Sequence, residues 1–303
     1  RLFRTIKKLK MYFNPNEIET KDLHQLLLGI VAPRPIAFVS TIDEEGIYNL
    51  APFSFFNCFS SNPPIVIFSA NRRVGNNTTK DTLANVISSG ECVINAVSHN
   101  IIRQVTLCSV DYPKDVDEFT KSGLTPIPSD IVRPPRVKEC LAHLECKVKE
   151  ILPLGDKGGA GNLVICEVVR VHVDPSILDE NQRIDPTKID LMGRMGRAFY
   201  SRASGEAIHT IIQPYNASPI GFDRLPDAFK QSHILSANDL AALASLEELP
   251  TDGDIAQFMT RNDIQRIISQ PDASNLLQNY AHQALIENLK KEAFIAMILS
   301  IRP

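Results

Sequence analysis

The chain has 303 residues, 44% of them hydrophobic and 22% charged, and its 32 Lys and Arg against 35 Asp and Glu give a net charge of −3. This supports one large domain or two smaller ones; it excludes a disordered chain, a glycine-rich low-complexity architecture and the bulk positive charge of a nucleic-acid binder. Six cysteines without a Cys-x-x-Cys pair or zinc spacing read as buried, reduced thiols of a cytoplasmic protein, and no apolar run approaches the roughly 20 residues that span a bilayer.

The first ten residues, RLFRTIKKLK, carry five basic side chains and no acidic one. They lack the apolar core and cleavage site of a signal peptide. Met11 reads as a natural start, so residues 1–11 are expected to be a disordered or artefactual arm. Residues 21–30 have the apolar stripe of a helix, which Pro33-Arg34-Pro35 breaks. Ile36 to Thr41 reads as a buried strand and Asp43 to Gly46 as a turn, with Gly46 at positive φ. Ile47 to Phe56 is the expected returning strand, and Ile65 to Ser69, after Asn62-Pro63-Pro64, a third. Short turns between them predict a meander rather than a βαβ unit.

A polar loop, 71–79, leads to a helix over 80–89, with Leu83, Val86 and Ile87 facing inward and Gly90 as its stop. Residues 92–97 read as a fourth strand, 99–109 as helical, and 111–135, with five prolines, as irregular. Residues 143–152 and 162–174 predict a long hairpin whose tip is the glycine-rich run 155–161. About six strands with few helices point to an antiparallel barrel with helical insertions. Beyond residue 230 the pattern is helical: 237–246, opened by the Ser236–Asp239 cap, then 254–269 and 275–300. Leu277, Ala281, Ala284, Leu285 and Leu289 mark one buried face. The expected division is a domain over 12–230 and a helical extension over 231–303.

No G-x-G-x-x-G, Walker loop, His-Glu-x-x-His or G-x-S-x-G occurs, and the Gly-rich run at 155–161 has no helix after it to make a phosphate cradle. Lys80 and Thr82, preceded by Thr78 and Thr79, sit at a predicted helix N-terminus. They suit either a bound phosphate or ordinary capping. Ser54 and Asn57 are polar residues in the aromatic run APFSFFN, and they fit a core strand or the edge of a polar ring. Arg34, stiffened by two prolines, suits an anion or a surface ion pair. Asn71-Arg72-Arg73 could add charge beside that helix. In residues 191–202, LMGRMGRAFYSR, two glycines and three spread arginines read as a dinucleotide phosphate contact or a basic surface loop. His99 and His209 read as structural.

The ordered set APRPIAFVSTIDEEGIYNLAPFSFFN (32–57), Pro63-Pro64 with its strand, Lys80-Asp81-Thr82 and Glu91 to Asn95 resembles the flavin reductase-like, FMN-binding split-barrel family. It is similar above all to flavoredoxins and the flavin reductase components of two-component monooxygenases, over about residues 12–205. The resemblance implies a mainly β fold with helices: an antiparallel, Greek-key-like split β-barrel, here followed by a C-terminal helical extension. It implies a homodimer with FMN at the interface and NADH or NADPH as reductant. Electrons would pass to free flavin, a partner monooxygenase or another acceptor. A non-enzymatic electron carrier, or a relative acting on another substrate, shares the same pattern. The FMN contacts it implies are Arg34, Pro35, Asn49, Ala51, Pro52, Ser54, Phe55, Phe56, Asn57, Lys80, Asp81, Thr82 and Tyr200. No catalytic side chain and no metal are expected, because the cofactors carry the hydride chemistry.

Overall fold

A computed structural model describes residues 12–211 and 218–301; the expected arm at 1–11 lies outside the described residues. The chain divides into two units, one ending at His209 and one beginning at Thr210.

The first unit opens with helix α1 (Thr20–Ile30) and strands β1 (Ala37–Ile42), β2 (Tyr48–Phe53), β3 (Phe56–Ser61) and β4 (Pro64–Ser69). Helix α2 (Asp81–Ser89), strand β5 (Glu91–Ala96) and helices α3 (Ile102–Leu107) and α4 (Glu118–Ser122) follow. A two-residue pair, β6 (Pro126–Ile127) and β7 (Arg136–Val137), precedes the long hairpin of β8 (Ala142–Pro153) and β9 (Asn162–Val173). Helix α5 (Pro186–Ile189) and the pair β10 (Met192–Arg194) and β11 (Tyr200–Arg202) close the unit.

Seven strands form one antiparallel sheet in the order β2-β1-β5-β8-β9-β4-β3. Its two edges, β2 and β3, are consecutive in sequence. Only Ser54 and Phe55 connect them, so at that end the edges lie within about 11 Å, the reach of three Cα–Cα steps. The sheet therefore curls back on itself without pairing its edges, and the opening of this barrel is the β2–β3 step.

The expected single strand Ile47 to Phe56 is thus two strands, and the meander has four rather than three. Pro52 fits this placement, since proline lacks the N–H that a central strand must donate and is tolerated on an edge. β1 is buried on both faces: Val39 lies in the barrel core with Phe53, Phe68 and Val86, while Phe38 lies in a second core with Leu50, Val105 and Phe119. That double burial explains an apolar run without alternation. Gly46 (φ 88°) and Gly90 (φ 68°) adopt the left-handed conformation expected of them. Ile87, expected to face inward, is 64% exposed. α2 instead buries Thr82, Leu83, Asn85 and Val86, because Thr82 and Asn85 find hydrogen-bond partners on the strands. The region read as irregular holds α4, capped by Asp117 through Phe119 N.

The second unit contains α6 (Asp227–Lys230), α7 (Ala237–Ala244), α8 (Asp252–Met259), α9 (Asn262–Ile268), α10 (Ala273–Ile286) and α11 (Lys290–Ser300). Ser236 with Asp239 and Thr251 with Asp254 form capping boxes. The two longest expected helices are each broken. Extended Arg261 divides the first, and Asn288, at φ 60°, divides the second; asparagine tolerates that conformation. Ile220, Leu225 and Phe229 share one core with Leu243, Ile264, Leu277 and Phe294. The helical unit therefore starts about 20 residues before the boundary at 230/231 that composition suggests. Leu277, Ala281 and Ala284 are buried as expected, whereas Leu289 is half-exposed.

Candidate functional site

The strongest convergence of expected site residues lies where β2 meets the first turn of α2. Asn49 Oδ1 accepts from Thr82 Oγ1 at 2.7 Å and from Thr41 Oγ1 at 3.3 Å. Asn49 Nδ2 donates to both oxygens of Glu118, each at 3.2 Å, and Leu50 N donates to Glu118 at 3.0 Å. Burial pushes the Glu118 carboxyl above its ordinary range. The hydroxyl of Thr82 is therefore part of a buried bracket joining β2, α2 and α4, and is not offered to a ligand.

That bracket presents Lys80. Its Nζ stands 5.5 Å from the centre of the Phe53 ring. Among the described residues it has no hydrogen-bond or ion-pair partner. Burial lowers its pKa, since a desolvated ammonium is disfavoured. Lys80 is also the N-cap residue of α2, and no side chain caps that end. Asn49, Ala51, Arg73, Lys80, Asp81 and Thr82 line one narrow cleft of about 20 Å³ with Asp111, Tyr112 and Glu118. Arg73 is engaged: it holds Asp111 at 2.8–2.9 Å and bonds Thr78 and Thr79. Arg72 is engaged with Asn77. An unpaired cation at an uncapped helix N-terminus is a ready anion site.

The aromatic run reaches this cleft from the barrel opening. Ala51 and Phe53 are buried, while Pro52, Ser54, Phe55 and Phe56 are half-buried. The Phe55 carbonyl accepts from Ser69 N at 2.8 Å, which pins the β2–β3 step to β4. Asn57 is exposed on β3, and its Oδ1 accepts from Cys58 N; it lies outside the lining of the cleft.

Arg34 is placed differently from the anion contact expected of it. It is 4% exposed, and its guanidinium donates to the carbonyls of Leu28, Val31 and Met195. Leu28 and Val31 belong to the C-terminal end of α1, where the helix dipole attracts a cation. The Arg34 backbone also exchanges two hydrogen bonds with Arg194. Burial, then the Arg194 charge, lowers its pKa. Pro35 and Phe56 line a separate cavity of about 330 Å³ with Arg34. Tyr200 lines a third hollow with Met195, Gly196 and Phe199, and the Arg194 guanidinium lies 4.5 Å from its ring centre. One place gathers Asn49, Ala51, Lys80, Asp81 and Thr82; Arg34, Pro35 and Phe56 line the second and Tyr200 the third. Pro52, Ser54, Phe55 and Asn57 line none of them. Ser54 accepts from Arg34 Nε at 3.5 Å, and the Phe55 ring centre lies 5.9 Å from the Arg34 guanidinium.

Sequence reasoning missed Glu118, Asp111 and His143. Each sits where local pattern carries no signal, in a proline-rich stretch or within a strand. Cys92, Cys108, Cys140, Cys146 and Cys166 are buried free thiols, and burial pushes Cys108 and Cys140 up; Cys58 is exposed on β3, contrary to the expectation of burial. Asp130, Glu145 and His172 form an acidic-imidazole group. Glu145 there already accepts from three backbone N–H groups and from His172.

Comparison with known proteins decides the family. The flavin reductase like domain matches residues 31–188, over half the chain. The chain belongs to the flavin reductase-like family. An uncharacterized protein of Aquifex aeolicus is 39% identical over 196 residues, covering 65% of this chain and 97% of its own length. Nitrilotriacetate monooxygenase component B from Bacillus cereus superposes with a TM-score of 0.62 at 33% identity, over 67% of this chain and 99% of that one. A split-barrel protein from Shewanella frigidimarina gives 0.57 at 27% identity, over 67% and 99%. The fold of this flavin reductase-like chain is the split barrel, and family membership supports flavin-linked oxidoreductase chemistry. Each of these relatives leaves about a third of the chain unmatched. No helix among the described residues is long and apolar enough to cross a membrane.

Proposed function

We propose that this chain binds FMN with the phosphate at Lys80 and the N-terminus of α2, and reduces flavin with NADH or NADPH. The observation that carries the reading is Lys80: a desolvated ammonium with no partner among the described residues, at a helix end with no cap. The carboxylates of Asp111, Glu118 and Asp81 act on Lys80 without pairing with it, and a phosphate dianion supplies the direct partner that both features lack. The residues present therefore fit the group.

The chain's own work is anchoring and positioning. Asn49, Thr82 and Glu118 hold Lys80 and the first turn of α2 in place. Ala51 to Phe55 provide a mainly apolar strand end beside it, suited to a flat ring and to exclusion of water. Bound FMN supplies the acceptance of a hydride from reduced nicotinamide, and this accounts for a site without a triad or a paired acid and base. The cleft of about 20 Å³ serves the phosphate end alone, and the family resemblance supports a homodimer in which a second copy completes the site around the ring. The similarity to a monooxygenase component B supports free flavin or a partner oxygenase as the acceptor.

Purified protein supplemented with FMN is expected to retain visible flavin absorbance after gel filtration. Anaerobic mixing with NADH or NADPH is expected to bleach it. Colour that persists with both nucleotides would favour an electron carrier fed by another protein, and no retained flavin would end the reading altogether.

A further inference from the structure

The cavity of about 330 Å³ at the Pro33–Ile36 end of the barrel shares no lining residue with the cleft at Lys80. Its walls are mostly apolar, with Ile36, Phe56, Ile94, Ala96, Leu144 and Met192 among them. Most of its polar side chains are engaged elsewhere. Arg34 holds the carbonyls at the end of α1. Asn95 bonds Phe38 O, Ser40 and Val137 N. Ser201 faces Gly193 O.

His143 differs. It is 7% exposed, and its Nε2 lies 2.8 Å from Val137 O. A carbonyl only accepts, so Nε2 carries the proton. Burial lowers the ring's pKa, which keeps it neutral. Nδ1 is then a bare lone pair, and it has no partner among the described residues. Buried acceptors are almost always satisfied in native proteins.

We propose that this cavity binds a small, flat, largely apolar molecule carrying one N–H or O–H group, which donates to His143 Nδ1. The volume is at the low end for small-molecule sites and suits one or two fused rings. The separate lining leaves the cleft at Lys80 open to a phosphate at the same time. The proposal does not depend on flavin binding.

Indole and benzofuran test it, since they match in shape and only indole has a donor. Each is titrated into the full-length protein by calorimetry, with and without saturating FMN. Indole is expected to bind about tenfold more tightly, and to shift the ¹⁵N resonance of His143 Nδ1. His143→Phe keeps a flat ring while removing the Nδ1 acceptor together with the Nε2 donor, and is expected to abolish the preference. Should that variant fail to fold, the wild-type preference and the ¹⁵N shift still decide the matter. Equal affinity for the two probes overturns the proposal. So does binding of neither, which would leave a buried water as the partner of Nδ1. Loss of indole binding on adding FMN also overturns it, since the cavity would then be part of the flavin site. If the protein takes no FMN at all, the flavin-free titration still reads the cavity, so the two proposals fail separately.

Discussion

Thr82 donates its hydroxyl to Asn49 Oδ1 across 2.7 Å, and that one bond ties the first turn of α2 to strand β2. Both residues were expected to touch the cofactor directly. In the structure they line the cleft at Lys80 and also support the turn that carries it. Thr82→Val leaves Asn49 Oδ1 with only the longer bond from Thr41. The expected cost is about 1–2 kcal/mol in urea denaturation, with Thr82→Ser close to wild type. A Val variant as stable as wild type would show that the bracket contributes nothing.

Lys80→Met removes the ammonium while keeping the side chain's apolar length over Phe53. FMN affinity is expected to fall about 10–100-fold, the range for a lost charge-assisted contact. Riboflavin, which lacks the phosphate, is expected to bind both forms equally. Fluorescence titration of the two flavins makes the comparison; an equal loss for both would move the phosphate away from α2.

Arg34→Met strips the α1 end of its donor to Leu28, Val31 and Met195. Thermal and chemical stability are expected to drop by about 2–3 kcal/mol, with FMN affinity nearly unchanged once the protein is folded. A large and selective loss of FMN binding would restore the anion role that its sequence position suggests.

Glu145 is expected to contribute to the loss of stability in acid. Burial alone would raise its pKa, but the N–H groups of Asp130, Ile131 and Val132 and the His172 ring stabilise the carboxylate and bring it to about 2. The folded pKa is thus below the unfolded one of about 4.3. Its stabilisation is present above the unfolded value and is lost as pH falls toward 2. Wild-type unfolding free energy should decline over that window, whereas Glu145→Gln should begin lower at neutral pH and decline less. Parallel pH profiles for the two proteins would count against this assignment.

Truncation after His209 removes a unit with its own core. The shortened chain is expected to fold and to bind FMN within about threefold of full length, because separate cores fold separately. Ending the chain at residue 231 instead strands Ile220, Leu225 and Phe229 without their partners, and that product should aggregate. Light scattering and flavin titration of the two truncations separate these outcomes.

The one-dimensional pattern already contained the meander, the turn at Gly46, the helix stop at Gly90, the long hairpin and the helical extension. Those features rest on period, caps and turn residues, which act over a few positions. Lys80 at a helix N-terminus was legible for the same reason. The tertiary structure decided the rest. It split 47–56 into two edge strands, because only the curled sheet shows that Ser54 and Phe55 step between its edges. It turned Arg34 inward to the end of α1 and Thr82 inward to Asn49, because the partners of a buried polar group come from distant segments. Glu118 and His143 owe their roles to neighbours far away in the chain: Glu118 meets Asn49 some 69 positions back, and His143 borders a cavity whose walls run from Pro33 to Ala203. Charge and residue type can be read locally, but the pairing that leaves Lys80 open and Arg34 engaged is a property of the packed barrel.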